Sequence, residues 1–240
     1  MSNQEVFTKI YKERIWGKGT PSSPSSGDGS HPDMSLPYLQ LVRSSIQGNG
    51  IKTVFDFGHG DWMMWRDYKF EDVSYLGVDI AEELSERVGA IYENSKRKFR
   101  HSSELKQGFP KADMFISKEV FQHLSNADVT AILQQLTLFE YLILCNGYYS
   151  RSMFFDRLKY RLQIRNRMRK ILNRGNPFYL VKTPKNNSEI NSGDFRGVDL
   201  ERSPFSEFLT HHKLVSKLDF PGRKGSAVHF RAYFYVREIL

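Results

Sequence analysis

Val54-Phe55-Asp56-Phe57-Gly58-His59-Gly60-Asp61-Trp62 is an apolar β-type run that closes on an acid and two glycines. A second such run, Tyr75-Leu76-Gly77-Val78-Asp79-Ile80, closes on another acid. Glycines at a strand end let the backbone pass close to a ligand with no Cβ in the way. An acid ending the next strand can accept both hydroxyls of a ribose. The pair predicts a parallel sheet that holds an adenosyl cofactor at the tips of neighbouring strands, with Asp56, Gly58, His59, Gly60, Asp61, Trp62, Asp79 and Ile80 in the binding set. A nicotinamide-binding turn fits less well, because no third glycine follows Gly58 and Gly60 at the helix contact.

Outward from this stretch, short apolar runs alternate with helical patterns, the mark of a parallel sheet covered on both faces. Strands are predicted at 51–57, 74–78, 97–101, 112–117 and 141–145. Helices are predicted at 81–93 and 126–139, the second opened by Ser125 with Asp128 at capping-box spacing. Residues 213–220 and 227–236 alternate as a β-hairpin around Pro221-Gly222-Arg223-Lys224-Gly225. The first 50 residues stand outside this rhythm. A short aromatic helix is expected around Phe7 to Trp16 and another around Pro37 to Ile46, separated by a loop rich in Ser, Gly, Pro and Asp at 17–37. That segment reads either as a lid over the ligand mouth or as a disordered leader.

The chain resembles the class I S-adenosylmethionine (SAM)-dependent methyltransferases. VFDFGHGDW stands where that superfamily has its glycine-rich first motif, and KADMFISKEVFQHLSN at 111–126 looks like its fourth. A narrower resemblance, to a family of small bacterial and phage methyltransferases, is carried by FTKIYKERIWGKG near the start, SGDGS at 26–30 and DFRGVDLERSPF at 194–205. His59 stands where that family has Cys, and Ser102-Ser103 follow the third strand where many superfamily members carry an acid. The resemblance implies an α/β, Rossmann-like, doubly wound sheet of seven strands, mostly parallel, with a C-terminal antiparallel hairpin. It also adds Ser102, Ser103 and Lys118 to the SAM-binding set.

Composition suits one catalytic domain over 1–240, read as an N-terminal lid and helices (1–50), a SAM-binding core (51–146), a basic helical insertion (147–196) and a C-terminal loop and hairpin (197–240). At 240 residues and 40% hydrophobic the chain can bury a full core. The single Cys145 excludes an internal disulfide, and its place in the apolar run from Tyr141 reads as a buried thiol rather than a nucleophile. The first residues are polar and no apolar run approaches the length of a membrane span, so a cytoplasmic location is expected.

Between Arg151 and Arg174 nine Lys or Arg accompany one acid, Asp156, a local excess equal to the whole chain's net charge of +8. The predicted helix there gathers Phe154, Leu158, Leu162, Ile164, Met168, Ile171 and Leu172 on one side, but Arg161 and Arg165 among them argue against a membrane-lying helix. Two readings stay open: binding of an anionic partner, such as a polyphosphate-linked sugar, lipid head group or nucleic acid, or a solvated or oligomer-forming helix.

Methyl transfer from a sulfonium is a direct displacement, so donor and acceptor must be held in line and a hydroxyl acceptor must lose a proton. His123 is the candidate base because imidazole titrates near neutrality, and Glu119, at i−4, is the candidate to orient it. A purely structural His123 is the alternative. Tyr11, Trp16, Tyr148, Arg196 and Asp199 are candidate acceptor contacts, Arg196 and Asp199 alternatively pairing with each other or bracing the lid. His211 and His212 are adjacent and point apart, so no metal site is expected. The favoured function is O-methylation of a small molecule or glycan. The alternatives are a nucleic-acid or protein methyltransferase using the basic helix, and a non-catalytic methyltransferase-like module. Against the nucleic-acid reading, KEVFQHL is not the Asn/Asp-Pro-Pro-aromatic sequence common in base amine methylation.

Overall fold

The computed structural model describes residues 2–17, 25–68, 70, 72–149, 185–222 and 228–238. The predicted basic helix at 151–174 and the hairpin turn at 223–225 lie outside the described residues. Seven strands, β1 (Thr53–Phe57), β2 (Ser74–Asp79), β3 (Arg97–His101), β4 (Met114–Lys118), β5 (Tyr141–Tyr148), β6 (His212–Pro221) and β7 (His229–Arg237), form one sheet in the order β3-β2-β1-β4-β5-β7-β6. The first five are parallel, and β7 runs antiparallel to both β5 and β6. This is the predicted doubly wound sheet with its antiparallel closing pair.

Four α-helices accompany it among the described residues: α1 (Asn3–Lys12), α2 (Pro32–Asn49), α3 (Glu82–Tyr92) and α4 (Asn126–Leu133). Strand alternation sends successive side chains of β1 to opposite faces. Val54 joins the core made by Tyr38, Val42 and Ile46 of α2 with Leu84 and Val88 of α3. Phe55 joins the other core, with Val129, Ile132 and Leu133 of α4, Phe7 and Ile10 of α1, and Val198 to Leu209 of the loop before β6.

Local chemistry explains where element boundaries differ from the sequence reading. Ser2 and Glu5 form a reciprocal capping box that starts α1 at Asn3, and Arg14, with φ of 56°, turns the chain out of the helix before Trp16. Pro32 opens α2 five residues earlier than expected, as a proline in the first turn loses no helical hydrogen bond, and Gly50 ends it in the left-handed region at φ 64°. The long helix predicted over 126–139 is instead α4 followed by a 3-10 turn at Leu136–Leu138. Leu136 and Phe139 are both buried, a three-residue spacing that the tighter turn brings onto one side.

Candidate active site

The strand order reverses between β1 and β4, and ligands in such sheets bind outside the carboxyl ends of the strands at that reversal. A cavity of about 320 Å³ opens there. Gly58, His59 and Asp61 reach it from β1, Asp79 and Ile80 from β2, Ser102 from β3, and Lys118, Glu119 and His123 from β4. Tyr11 and Trp16 cover it from the N-terminal segment.

Register sets the two key tips side by side. Phe57 pairs with Val78, and Gly58 N–H donates to the Val78 carbonyl at 2.7 Å, so Gly58 and Asp79 meet at one end of the cavity. Gly58 has φ of 80°, and a Cβ there would overlap the Val120 side chain. Asp79 is 7% exposed and its two carboxylate oxygens each accept one backbone N–H, from Gly60 at 3.1 Å and from Ala81 at 2.9 Å. Two fixed donors orient the carboxylate and leave further lone pairs for a ligand.

His59 supports the glycine turn from behind. Its Nδ1–H donates to the Gly60 carbonyl at 2.8 Å, Ser85 Oγ–H donates to Nε2 at 3.4 Å, and Phe99 meets the ring edge-on at 5.2 Å. Burial lowers its pKa, with Asp79 opposing. Lys118 Nζ donates to the Gly29 carbonyl at 2.7 Å and pairs with Glu119, whose carboxylate lies against Gly29. Glu119 has φ of 61°, so it does not stand one α-helical turn before His123, which belongs to a single 3-10 turn at Phe121–His123. Glu119 reaches His123 through its charge rather than through the predicted helical stacking.

The His123 ring lies 4.7 Å from that of Trp16 and 5.6 Å from that of Phe195. Nδ1–H donates to the Asp194 carbonyl at 2.9 Å, and Nε2 faces the Gln122 amide nitrogen at 3.2 Å. Burial lowers the His123 pKa, and Arg196 lowers it further against the opposing hydrogen bond to Asp194 and the charge of Glu119.

Seven residues named from the sequence are not among the described residues that line the cavity: Asp56, Gly60, Trp62, Ser103, Tyr148, Arg196 and Asp199. Asp56 is buried on the α2 side of the sheet, accepting from Tyr75 Oη at 2.6 Å and Trp65 Nε1 at 3.2 Å. Burial raises its pKa to about 7. Trp62 turns away from the cavity, donating to Tyr75 Oη at 3.0 Å with Arg97 over its ring. Ser103 Oγ–H donates to His101 Nδ1 at 2.8 Å, while His101 Nε2–H holds the Ile80 carbonyl at 3.0 Å. Tyr148 stacks under Arg231, 3.6 Å from its ring. Asp199 pairs with Arg202 at 3.2 Å and lies 3.3 Å from Tyr233 Oη, so it does not pair with Arg196. Arg196 donates to the carbonyls of Ser188 and Phe121.

Other lining residues were not singled out from the sequence. Phe57, Phe109, Leu124 and Ile132 add an apolar bed to the cavity wall, Gln135 adds an amide, and Phe7, Ser26 and Ser30 line it as well. The Ser26 and Ser30 hydroxyls were visible as the ends of SGDGS, but nothing local in the chain ties that segment to Asp61. Among the described residues no group of three or more His, Cys, Asp or Glu is placed to hold a metal ion, and no helix is long and apolar enough to cross a membrane.

No family model matches the chain, and no curated protein sequence matches it. Solved structures do. A magnesium protoporphyrin IX methyltransferase from Synechocystis is similar with a TM-score of 0.62 at 14% identity, covering 98% of each chain. A SAM-dependent methyltransferase from Anabaena variabilis gives 0.61 at 10% identity, covering 99% of this chain and 96% of its own. An N-methyltransferase from Bradyrhizobium japonicum gives 0.55 at 11% identity, covering 88% and 99%. At these identities the likeness is one of fold: the chain has the Rossmann-like fold of SAM-dependent methyltransferases.

Proposed function

We propose that the chain is a SAM-dependent methyltransferase acting on a hydroxyl of a small molecule or glycan. One observation carries the reading: Gly58 and Asp79 meet at the reversal point of the sheet, with the Asp79 carboxylate on the cavity and held from behind by two backbone N–H groups. That donor set suits an adenosyl group. Asp79 would take the ribose hydroxyls, Gly58 would admit the methionine part, and Ile80, Ser102 and the apolar bed of Phe109 and Ile132 would hold the adenine. When bound, the cofactor supplies an electrophilic methyl group. The IY…WG, SGDGS and DFRGVDLERSPF segments support the narrower likeness to the small bacterial and phage family, and with it one domain that begins with a lid and helices over residues 1–50.

This chain's own residues do the rest. Tyr11 and Trp16 exclude water from the end where Lys118, Glu119 and His123 gather. His123 Nδ1–H is held by the Asp194 carbonyl, which leaves Nε2 as the basic nitrogen and steadies the charge that forms when Nε2 takes a proton. An acceptor hydroxyl would replace the Gln122 amide at Nε2. The cavity of about 320 Å³ falls within the range of small-molecule sites. The test is release of demethylated cofactor from SAM during a screen of phenolic, sugar, nucleic-acid and protein acceptors. Turnover with a hydroxyl compound supports the reading, and turnover confined to nucleic acid or protein replaces it with the runner-up.

A further inference from the structure

The segment from Gly193 to Arg196 closes around the turn that carries His123. Gly193 N–H donates to the His123 carbonyl at 2.8 Å, Arg196 N–H to the Gln122 carbonyl at 3.0 Å, and Arg196 Nη2–H to the Phe121 carbonyl at 3.2 Å. One short stretch thus caps each carbonyl of Phe121–His123, and in return its own Asp194 carbonyl accepts the His123 Nδ1–H. Gln122 fixes the other edge of the ring. Its Oε1 accepts the Gly147 N–H at 2.6 Å, so its NH₂ faces His123, and His123 Nε2 is the acceptor of that contact. Two hydrogen bonds on opposite sides therefore select the same neutral tautomer.

Arg196 is the anchor of this clamp and an unusual one. It is 1% exposed, lies 5.2 Å over the Phe205 ring and leaves its Nε without a hydrogen-bond partner. Among the described residues it forms no ion pair, and burial lowers its pKa to about 10, which keeps it charged at neutral pH. A buried cation held by carbonyls and a ring face, with Glu189 acting on it through charge alone, costs stability. Its position beside the His123 turn gives that cost a use.

We infer that Arg196 is a positioning residue for His123, acting through the Phe121–His123 turn to hold the imidazole as the Nδ1–H tautomer with Nε2 as proton acceptor. Its charge also disfavours a proton on the ring. The opposing charge is Glu119, itself paired with Lys118, while the rings packed on His123, Trp16 and Phe195, are uncharged. The functional consequence rests on the reading of His123 as the base, but the tautomer is measurable without turnover.

Ring ¹⁵N correlation spectra of the full chain, with His123 assigned by its loss in His123→Gln, test the inference across a pH series. In the wild type His123 should be neutral at pH 7, Nδ1-protonated, with a midpoint below its ordinary value of 6.5. In Arg196→Gln the midpoint should rise toward 6.5 and the tautomers should mix. Arg196→Lys keeps the charge but lacks the fork that spans two carbonyls. It should hold the midpoint near wild type while the tautomers mix, and it carries the test if the Gln variant does not fold. An Nε2-protonated ring in the wild type, or folded Arg196 variants with unchanged tautomer and midpoint, would overturn the inference. The separate question of the base is read by activity: full turnover of His123→Gln would end the base assignment and leave the tautomer result standing.

Discussion

Ser26 and Asp61 hold one another by two hydrogen bonds across 35 residues of chain: Ser26 N–H donates to Asp61 Oδ2 at 2.8 Å, and Asp61 N–H donates to Ser26 Oγ at 2.7 Å. Ser30 Oγ–H adds a third bond to the same carboxylate at 3.1 Å, and Tyr11 Oη shares one with Ser26 Oγ at 3.0 Å. The N-terminal segment is thereby tied to the glycine turn that the cofactor would use, so the state of one is coupled to the state of the other.

Ser26→Ala should loosen this tie. It strands the Asp61 N–H and the buried Tyr11 hydroxyl, a loss of about 1–3 kcal/mol at an unsatisfied site. Amide exchange over residues 25–30 should accelerate by about tenfold or more, since each 1.4 kcal/mol is a factor of ten. Equal exchange in variant and wild type would show that the contact carries no weight in holding the segment.

Gly29→Ala attacks the same closure from the other side. A Cβ at Gly29 would overlap the Glu119 carboxylate, next to the Lys118 bond to the Gly29 carbonyl. Overpacking of this kind costs about 1–3 kcal/mol, so the melting temperature should fall. Gly48→Ala is the control. Nothing lies within 4 Å of a Cβ there, and alanine in this last turn of α2 should leave stability unchanged or raise it by up to about 1 kcal/mol. Similar effects of the two substitutions would contradict the closed geometry at Glu119.

Asp56 should leave a signature in stability against pH. Burial raises its folded pKa from 3.8 to about 7, so the folded state binds a proton that the unfolded state has lost. Its contribution is full below pH 3.8 and is lost as pH rises through about 7. Asp56→Asn removes this titration. The stability of the Asn variant relative to wild type should therefore rise between about pH 4 and pH 7 and level off above, as read by denaturant unfolding. Parallel stability profiles would show that the carboxylate is ionised and well solvated in the folded protein. His59, His123 and His212 have pKa values lowered by desolvation and act oppositely, costing stability as pH falls below about 6.5, but they are common to both proteins.

The glycine and acid tips of β1 and β2, the strand positions and the closing hairpin were legible because each is written in a local run of residues. Which face a residue takes was harder to use. Asp56 lies one residue from the end of β1, and the alternation that sends Phe57 toward the cavity sends Asp56 under α2 to Tyr75 and Trp65. Arg196 and Asp199 illustrate a different limit. A polar residue in a loop reads the same whether it meets a ligand or its own chain, and only the fold shows that Arg196 bonds the Phe121 and Ser188 carbonyls and that Asp199 meets Arg202 and Tyr233. The Ser26–Asp61 tie is a long-range pairing, for which neither segment carries a local signal.

For His123 the kinetic expectation follows from its held ring. Once an acceptor is found, His123→Ala should lower turnover by about 10²- to 10⁴-fold while SAM affinity stays near wild type, and the acid limb of the pH-rate profile should vanish. Loss of SAM binding together with activity would mark His123 as structural, and unchanged turnover would send the proton by another route.

The central claim is that Asp79 and the neighbouring glycines form the seat of an adenosyl cofactor, and calorimetric titration of SAM into wild type and Asp79→Ala tests it most directly. Wild type should bind one SAM per chain, and the variant should bind more weakly by about 1–3 kcal/mol, the worth of charge-assisted hydrogen bonds to the ribose. No binding by the wild type, or equal affinity in a folded Asp79→Ala, would contradict the account.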